Sequence, residues 1–143
     1  MRVPESDTKL KAHERALVVD FGGQYTHLIA RRCRELGVYA EIVSDDMRLT
    51  ESDLVGVKGV ILSGGPRTVT EQDLSGPFAP NFSLLTDTGV KILGICFGHQ
   101  ILGAVLGAEL VPGGNPEYGQ TTVTVLDRSD LLIGFEETHE VWM

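Results

Sequence analysis

The chain has 143 residues, of which 42% are hydrophobic and 22% are charged, and its 12 basic and 20 acidic residues give a net charge of −8. This size and composition suit one soluble globular domain, or part of one, and leave no room for a second. The acidic balance argues against a surface that binds nucleic acid or an anionic membrane, so a small molecule or a protein is the expected partner.

The apolar segments of the chain and its amino-terminal residues predict the cellular location of the protein and the residue at which its fold begins. No apolar run approaches the length of a membrane span, and the polar start lacks the apolar core of a signal peptide. We therefore expect a cytoplasmic protein in which Cys33 and Cys96 are reduced thiols. Residues 1–15 are polar and show no periodicity, which predicts a flexible extension before a folded region over residues 16–143.

The folded region is predicted to begin with a strand, a helix and a second strand. Ala16 to Val19 is an apolar run typical of a buried strand, and a turn at residues 20–23 leads into a helix from Gln24 to Leu36. The apolar stripe predicted for this helix comprises Tyr25, Leu28, Ile29, Cys33 and Leu36. Gly37 would cap the helix before a strand from Tyr39 to Val43. Such a unit predicts an α/β fold, an open and mostly parallel sheet with helices on both faces.

A third strand is predicted to end in a pair of glycines. Residues 45–58 are polar and predict a loop or short helix, whereas residues 59–62 are apolar and run into Ser63-Gly64-Gly65-Pro66. Two glycines after a strand let backbone N–H groups approach a ligand closely, at the end of a parallel sheet where sites assemble. Residues 70–80 predict a loop, and residues 81–88 a short helix.

Cys96 lies at a second tight turn of the predicted fold. The apolar run from Val90 to Ile95 predicts a buried strand, and Gly94-Ile95-Cys96-Phe97-Gly98 leads from it into a helix. The apolar face predicted for that helix comprises Ile101, Leu102, Val105 and Leu106. An isolated cysteine is more often a core residue, but this glycine-bracketed turn has the spacing of a nucleophile elbow. The unpaired N–H groups at the helix start favour a thiolate, and the Phe97 N–H is placed to donate to an oxyanion.

The segment Gly94 to Gln100 resembles, at all seven positions, the nucleophile motif of the class I (triad-type) glutamine amidotransferases. The resemblance implies a fold with flavodoxin-like layering, in which Cys96 attacks the side-chain amide of glutamine and releases ammonia. Ser63-Gly64-Gly65-Pro66 resembles the family's oxyanion loop, which implies that the N–H groups of Gly65 and Phe97 form the oxyanion hole. The residues implied to bind the substrate are Gly64, Gln100, Tyr118 and Gly119.

The segment Asp20 to Tyr25 is similar to the start of the amidotransferase part of the GMP synthase branch. That likeness implies glutamine as substrate. The implied partner is an ATP-pyrophosphatase (synthetase) domain or a separate synthetase chain, which uses the ammonia to convert xanthosine monophosphate (XMP) to GMP. The likeness implies no cofactor and no metal in this domain, because ATP and Mg²⁺ belong to the partner. The glycine turn at Gly22-Gly23 itself meets neither nucleotide fingerprint.

The carboxyl-terminal part predicts a strand over residues 120–126, a loop over residues 127–138 and the start of another apolar stretch at residue 140. The family's catalytic base and its orienting carboxylate belong to a His-Pro-Glu motif downstream of the cysteine. No such motif occurs between Cys96 and Met143. His99 shares the rigid turn with the thiol and is predicted to be structural, and His139 lies in a polar run that predicts a solvated side chain. We therefore expect a C-terminally incomplete domain.

Two alternatives remain open from the sequence. The first is another class I amidotransferase subunit, serving anthranilate or carbamoyl phosphate synthesis, because the elbow motif of those proteins is almost the same. The second is a non-catalytic, truncated or regulatory subunit that binds glutamine without a base to activate the thiol.

Overall fold

The computed structural model describes residues 13–113 and 118–143. The chain divides into two compact units, Met1–Leu110 and Val111–Met143, and each is described by itself. The first unit contains four parallel strands, β1 (Arg15–Asp20), β2 (Tyr39–Ser44), β3 (Val57–Leu62) and β4 (Lys91–Gly94), in the order β2-β1-β3-β4. Its helices are α1 (Thr26–Glu35), α2 (Glu71–Ser75), α3 (Ala79–Thr88) and α4 (Phe97–Val105). The predicted α/β fold with a mostly parallel sheet is confirmed.

Both faces of this sheet are covered, which explains why its strands are apolar runs rather than alternating patterns. Successive side chains of a strand point to opposite faces, so Leu17 and Val19 lie on one face and Val18 on the other. On the first face the buried strand residues pack with residues of α3 and α4, among them Phe82, Leu85, Phe97 and Ile101. On the second face Val18 packs with Ala30 of α1 and with Ala40 of β2.

The buried face of α1 differs from the predicted stripe. Thr26 and Ala30 are buried, and Ile29 and Cys33 pack partly buried beside them, whereas Tyr25, Leu28 and Leu36 are exposed. The prediction was wrong for those three because α1 begins only at Thr26 and ends at Glu35, and because the small Ala30 at its centre lets the helix approach the sheet. Gly37, at φ +81°, ends the helix as predicted. The Gly37 N–H donates to the carbonyl of Arg34, and the Val38 N–H donates to the carbonyl of Cys33. These two bonds form a Schellman motif.

The first strand begins at Arg15, so the predicted extension is one residue too long. Arg15 is buried, and its guanidinium donates to the Glu41 carboxylate at 3.1 Å and to the Asp53 carbonyl at 2.6 Å. Residues 1–12 of the predicted extension lie outside the described residues. No helix in the described part of the chain is long and apolar enough to cross a membrane.

The segment predicted as a loop at residues 70–80 contains helix α2, and that prediction was wrong. The Thr70 N–H donates to the Asp73 carboxylate at 2.7 Å, and the Asp73 N–H donates back toward Thr70, which is a capping box. The polar residues 45–58 contain a 3₁₀ turn at Glu51–Leu54 with the same kind of box, and β3 begins two residues earlier than predicted, at Val57.

The second unit is an antiparallel hairpin of β5 (Gln120–Thr124) and β6 (Thr138–Trp142). Thr122 lies opposite Glu140, and its hydroxyl donates to that carboxylate at 2.5 Å. The predicted strand is confirmed, although it ends at Thr124. The predicted loop contains a 3₁₀ turn at Asp130–Leu132, and β6 begins at Thr138, before the predicted apolar stretch.

Candidate active site

Cys96 lies between β4 and α4 in a backbone conformation that side chains rarely adopt. Its φ is 53° and its ψ is −113°, and the residue is exposed. Holding a residue other than glycine in such a region costs about 1–3 kcal/mol and persists only where the surrounding structure enforces it. The Cys96 carbonyl accepts the N–H of Gln100 at 3.0 Å, so the helix starts directly behind the thiol. The turn therefore has the form of a nucleophile elbow.

The glycines on either side of Cys96 are required by close backbone contacts. A Cβ atom at Gly94 would lie 2.6 Å from Cα of His99, and a Cβ atom at Gly98 would lie 2.2 Å from the carbonyl oxygen of Leu62. Neither position has space for a side chain. Because both residues are glycines, α4 can pack directly against the end of β3, and the Cys96 side chain projects from the turn between them.

The loop after β3 lies beside the cysteine. A Cβ atom at Gly64 would be 3.5 Å from Cβ of Cys96, and one at Gly65 would be 2.8 Å from the Phe21 carbonyl and 3.4 Å from Cγ of Phe97. The Gly98 N–H donates to the Ser63 carbonyl at 3.0 Å and so links the two turns. Among the described residues, neither the Gly65 N–H nor the Phe97 N–H donates to a protein group.

A buried polar network supports this loop from below. The Thr26 hydroxyl lies 3.0 Å from the Asp20 carboxylate and 3.2 Å from the Ser63 hydroxyl, and both hydroxyl-bearing residues are buried. The Ser63 hydroxyl accepts the N–H of Phe21 at 3.1 Å and donates to the Gly64 carbonyl at 3.1 Å. The ends of β1 and β3 are thus joined by side-chain hydrogen bonds directly under the Gly64-Gly65 pair.

Arg67 holds the other end of the same loop. Its guanidinium carbon lies 4.8 Å from the centroid of the Phe97 ring, which is a cation–π contact. The guanidinium also pairs with Asp73 of α2 and, at 3.6 Å, with Asp45 after β2. The loop is therefore fixed to the elbow through Phe97 and to the rest of the unit through two carboxylates.

Comparison with known proteins identifies this arrangement. Residues 17–143 match the profile of the glutamine amidotransferase class-I family. The chain belongs to this family. It is 46% identical to a GMP synthase [glutamine-hydrolyzing] of Pyrobaculum aerophilum over 135 residues, and 47% identical to one of Aeropyrum pernix over 134 residues. These alignments cover 91% and 89% of this chain, but only 25% and 24% of the two relatives.

Solved structures of amidotransferases share the fold. A Thermoplasma acidophilum protein, described as one subunit of a GMP synthase, has a TM-score of 0.77 and 35% identity over 91% of this chain and 63% of its own. A glutamine amidotransferase of Thermotoga maritima has a TM-score of 0.70 and 25% identity over 91% and 59% of the two chains. The chain thus spans about a quarter of the curated relatives and less than two thirds of these structures.

The structure brings four of the amidotransferase site residues predicted from the sequence to one place. Gly64 and Gly65 lie beside Cys96 and Phe97, in the close contacts described for the loop after β3. Gln100 is exposed one helical turn beyond Cys96. His99 is also exposed, and its backbone packs against Gly94. Among the described residues, no cluster of His, Cys, Asp or Glu could hold a metal ion.

Tyr118 and Gly119, the other two predicted substrate contacts, belong to the second unit. Tyr118 is 84% exposed, and Gly119, at φ +95°, exchanges two backbone hydrogen bonds with Met143 at the end of the hairpin. His139 lies half-buried in β6, where Nε2 accepts the Glu136 N–H at 2.9 Å and the ring packs against Phe135. The prediction that His139 is simply solvated was wrong, because the hairpin folds its ring onto a neighbouring aromatic.

The sequence patterns indicated no role for Thr26 or Arg67, and they indicated Ser63 only as part of the loop that carries the glycine pair. A hydroxyl directly after a buried strand, as at Ser63, signals a polar group that must find a partner at the strand end. The partner Thr26 has no such signal, because a threonine at the start of a helix is more often a cap. Arg67 is six residues before Asp73, a spacing that indicates no contact until the loop between them is folded.

Proposed function

We propose that this domain is the glutaminase part of a GMP synthase. In the proposed reaction the thiolate of Cys96 attacks the carboxamide carbon of glutamine, and an S–C bond forms as the carbonyl becomes an oxyanion. Collapse of this intermediate breaks the C–N bond and releases ammonia once the nitrogen has taken up a proton. Water then hydrolyses the thioester and releases glutamate. The observation that carries the proposal is the exposed Cys96 on its strained turn beside the N–H groups of Gly65 and Phe97, which donate to no group of the described residues.

The proposed roles come from the family resemblance, and the positions of Gly65 and Phe97 beside Cys96 support them. The N–H groups of Gly65 and Phe97 would hold the oxyanion, which is worth most where the donors are positioned before the reaction. Gly64 and Gln100 would contact the substrate, and the family resemblance alone assigns the same role to Tyr118 and Gly119. The base that takes the thiol proton would be the family's downstream histidine, oriented by its glutamate, because neither His99 nor His139 suits that role.

The ammonia would pass to an ATP-pyrophosphatase (synthetase) part, which activates XMP with ATP and Mg²⁺ and produces GMP. Support for this acceptor comes from the relatives of Pyrobaculum and Aeropyrum, which are named as glutamine-hydrolysing GMP synthases. The segment from Asp20 to Tyr25 adds support, because it lies under the site and resembles the same branch. The glutaminase domain itself requires no cofactor in this scheme.

The test uses the full-length gene product, with XMP, ATP and Mg²⁺ and with either glutamine or ammonium as nitrogen donor. Cys96→Ala should abolish glutamine-dependent GMP formation and leave ammonium-dependent formation unchanged, because only the first needs the thiol. Glutamate release without XMP amination would instead indicate a class I amidotransferase with another acceptor. Wild-type protein that binds glutamine without releasing glutamate would favour a non-catalytic subunit.

A further inference from the structure

The direction of the Gly65 N–H is determined by what holds the carbonyl of Gly64. The two groups belong to one peptide unit, and the described residues contain no cis peptide bond. In a trans peptide the C=O and the N–H point in opposite directions. A contact that fixes the Gly64 carbonyl therefore also fixes the donor that the proposed function places in the oxyanion hole.

Two independent contacts converge on that carbonyl. The Ser63 hydroxyl donates to it at 3.1 Å. On another side it lies against Gly23, where a Cβ atom would be 2.4 Å from the oxygen and 2.8 Å from the carbonyl carbon. The φ of Gly23 lies outside the range that disfavours side chains, so glycine is needed there for close approach and not for backbone conformation.

The hydrogen-bond network also determines which way the Ser63 hydroxyl donates. The Thr26 hydroxyl donates to the Ser63 oxygen at 3.2 Å, with the Asp20 carboxylate at 3.0 Å as a second acceptor. The Ser63 oxygen therefore accepts both the Thr26 hydroxyl and the Phe21 N–H, which leaves the Gly64 carbonyl as the acceptor of its own hydrogen. Ser63 is fully buried and Thr26 nearly so, which keeps bulk solvent away from both hydroxyls.

We propose that Ser63, Thr26 and Gly23 are positioning residues that hold the Gly64–Gly65 peptide with its N–H toward the substrate. They act through that peptide and do not themselves touch the reacting atoms. The inference rests on the proposed function, because it gives the Gly65 N–H its role in the oxyanion hole. A peptide between two glycines can rotate freely by itself. We infer that this one is fixed by the side chains of Thr26 and Ser63 and by the backbone of Gly23.

The experiment compares two reactions of Cys96 in the full-length gene product. Glutamine hydrolysis passes through an oxyanion, whereas alkylation by iodoacetamide displaces iodide at a saturated carbon and forms none. Loss of the oriented N–H should therefore lower kcat for glutamate release while the KM for glutamine and the alkylation rate stay unchanged. A general loosening of the site would change all three.

The variants are graded by the contact that each removes. In Gly23→Ala the new Cβ displaces the Gly64 carbonyl, and kcat should fall about 10²-fold, as for the loss of one oxyanion donor. Ser63→Ala removes one hydrogen bond and should lower kcat roughly 3- to 10-fold. Thr26→Val should behave like Ser63→Ala, whereas Thr26→Ser keeps the hydroxyl and should retain the wild-type kcat.

Gly37→Ala is the matched control, because it strains a remote glycine at φ +81° with nothing near its new Cβ. It should lower the unfolding temperature and leave kcat unchanged. Wild-type kcat in Gly23→Ala and Ser63→Ala, or a parallel fall in alkylation, overturns the positioning role and leaves the proposed function intact. Wild-type protein that releases no glutamate overturns both. If Gly23→Ala does not fold, Ser63→Ala and the Thr26→Val and Thr26→Ser pair decide.

Discussion

The N–H of Gly98 donates to the carbonyl of Ser63 across 3.0 Å, and it joins the helix behind the nucleophile to the loop that carries the glycine pair. The bond forms only because Gly98 lies against the end of β3 with no side chain between them. The positions of the thiol and of the loop are therefore not independent. A change on either side of this contact is expected to disturb both.

Gly98→Ala should destabilise the domain strongly. The added Cβ would lie 2.2 Å from the carbonyl oxygen of Leu62 and 2.6 Å from Cβ of Leu62, so α4 must move away from the sheet. We expect a loss of about 1–3 kcal/mol in the free energy of unfolding, or more, measured by urea denaturation. Gly103→Ala on the same helix is the control, because within the described part of the chain its Cβ meets only Cβ of Ala108, at 3.6 Å. It should stabilise the protein by about 0.5–1 kcal/mol. Equal effects of the two changes would contradict the close packing at Gly98.

Gly65→Ala should reduce glutamine hydrolysis more than it reduces stability. The new Cβ would lie 2.8 Å from the Phe21 carbonyl, and the Gly65 peptide must shift away from the position proposed for the oxyanion. We expect kcat for glutamate release to fall about 10²- to 10³-fold. The control is Gly59→Ala in β3, the strand before this loop, because its Cβ makes an ordinary contact of 3.7 Å with the Lys91 carbonyl. Near wild-type kcat in Gly65→Ala would assign the oxyanion contact to another group.

Cys96 should react with iodoacetamide faster than Cys33. The Cys96 side chain is exposed at the start of α4, whereas Cys33 is half-buried against the core residues of the second sheet face. The reagent therefore reaches the Cys96 thiol more easily than the Cys33 thiol. Mass spectrometry of partly alkylated protein, with Cys33→Ala and Cys96→Ala as references, gives the two rates. Equal and slow labelling would be incompatible with the elbow geometry.

His139→Ala should leave glutamine hydrolysis unchanged in the full-length gene product. The Nε2 atom already accepts the Glu136 N–H, so its lone pair is not available to take a proton from a thiol. The expected effect is a small loss of stability in the hairpin, where the ring packs against Phe135. Initial rates of glutamate release, compared with those of Cys96→Ala, test this. A rate as low as that of Cys96→Ala would make His139 the catalytic base.

The sequence predicts most of the elements that position the site, and the reason is burial. The strands of a sheet covered on both faces are short apolar runs, so β1, β3 and β4 are visible in the sequence, as are the glycines at their ends. The nucleophile position is also visible, because a cysteine bracketed by Gly94 and Gly98 between a strand and a helix has the spacing of an elbow. These features depend on local sequence and on backbone space.

The contacts that connect the elements could not be predicted in the same way. Thr26 and Ser63 are 37 residues apart, and only the parallel pairing of β1 with β3 brings their hydroxyls to 3.2 Å. The buried face of α1 differs from the predicted stripe for a related reason. The small Ala30 lets the helix lie close to the sheet, and this leaves the larger Leu28 and Leu36 exposed. Helix α2 was missed although Thr70 and Asp73 form a recognisable capping box, because its five residues carry too few apolar positions to show a period.

The positive φ of Cys96 has an evolutionary consequence. Glycine adopts that conformation without the strain of about 1–3 kcal/mol that cysteine bears, so Cys96→Gly should raise the unfolding temperature while it removes the thiol. A gene copy that is no longer selected for catalysis would gain folding stability from that substitution, and no physical effect in the turn opposes it. A cysteine at this turn lowers the folding stability of the domain, and the chemistry of its thiol is the benefit that offsets this cost.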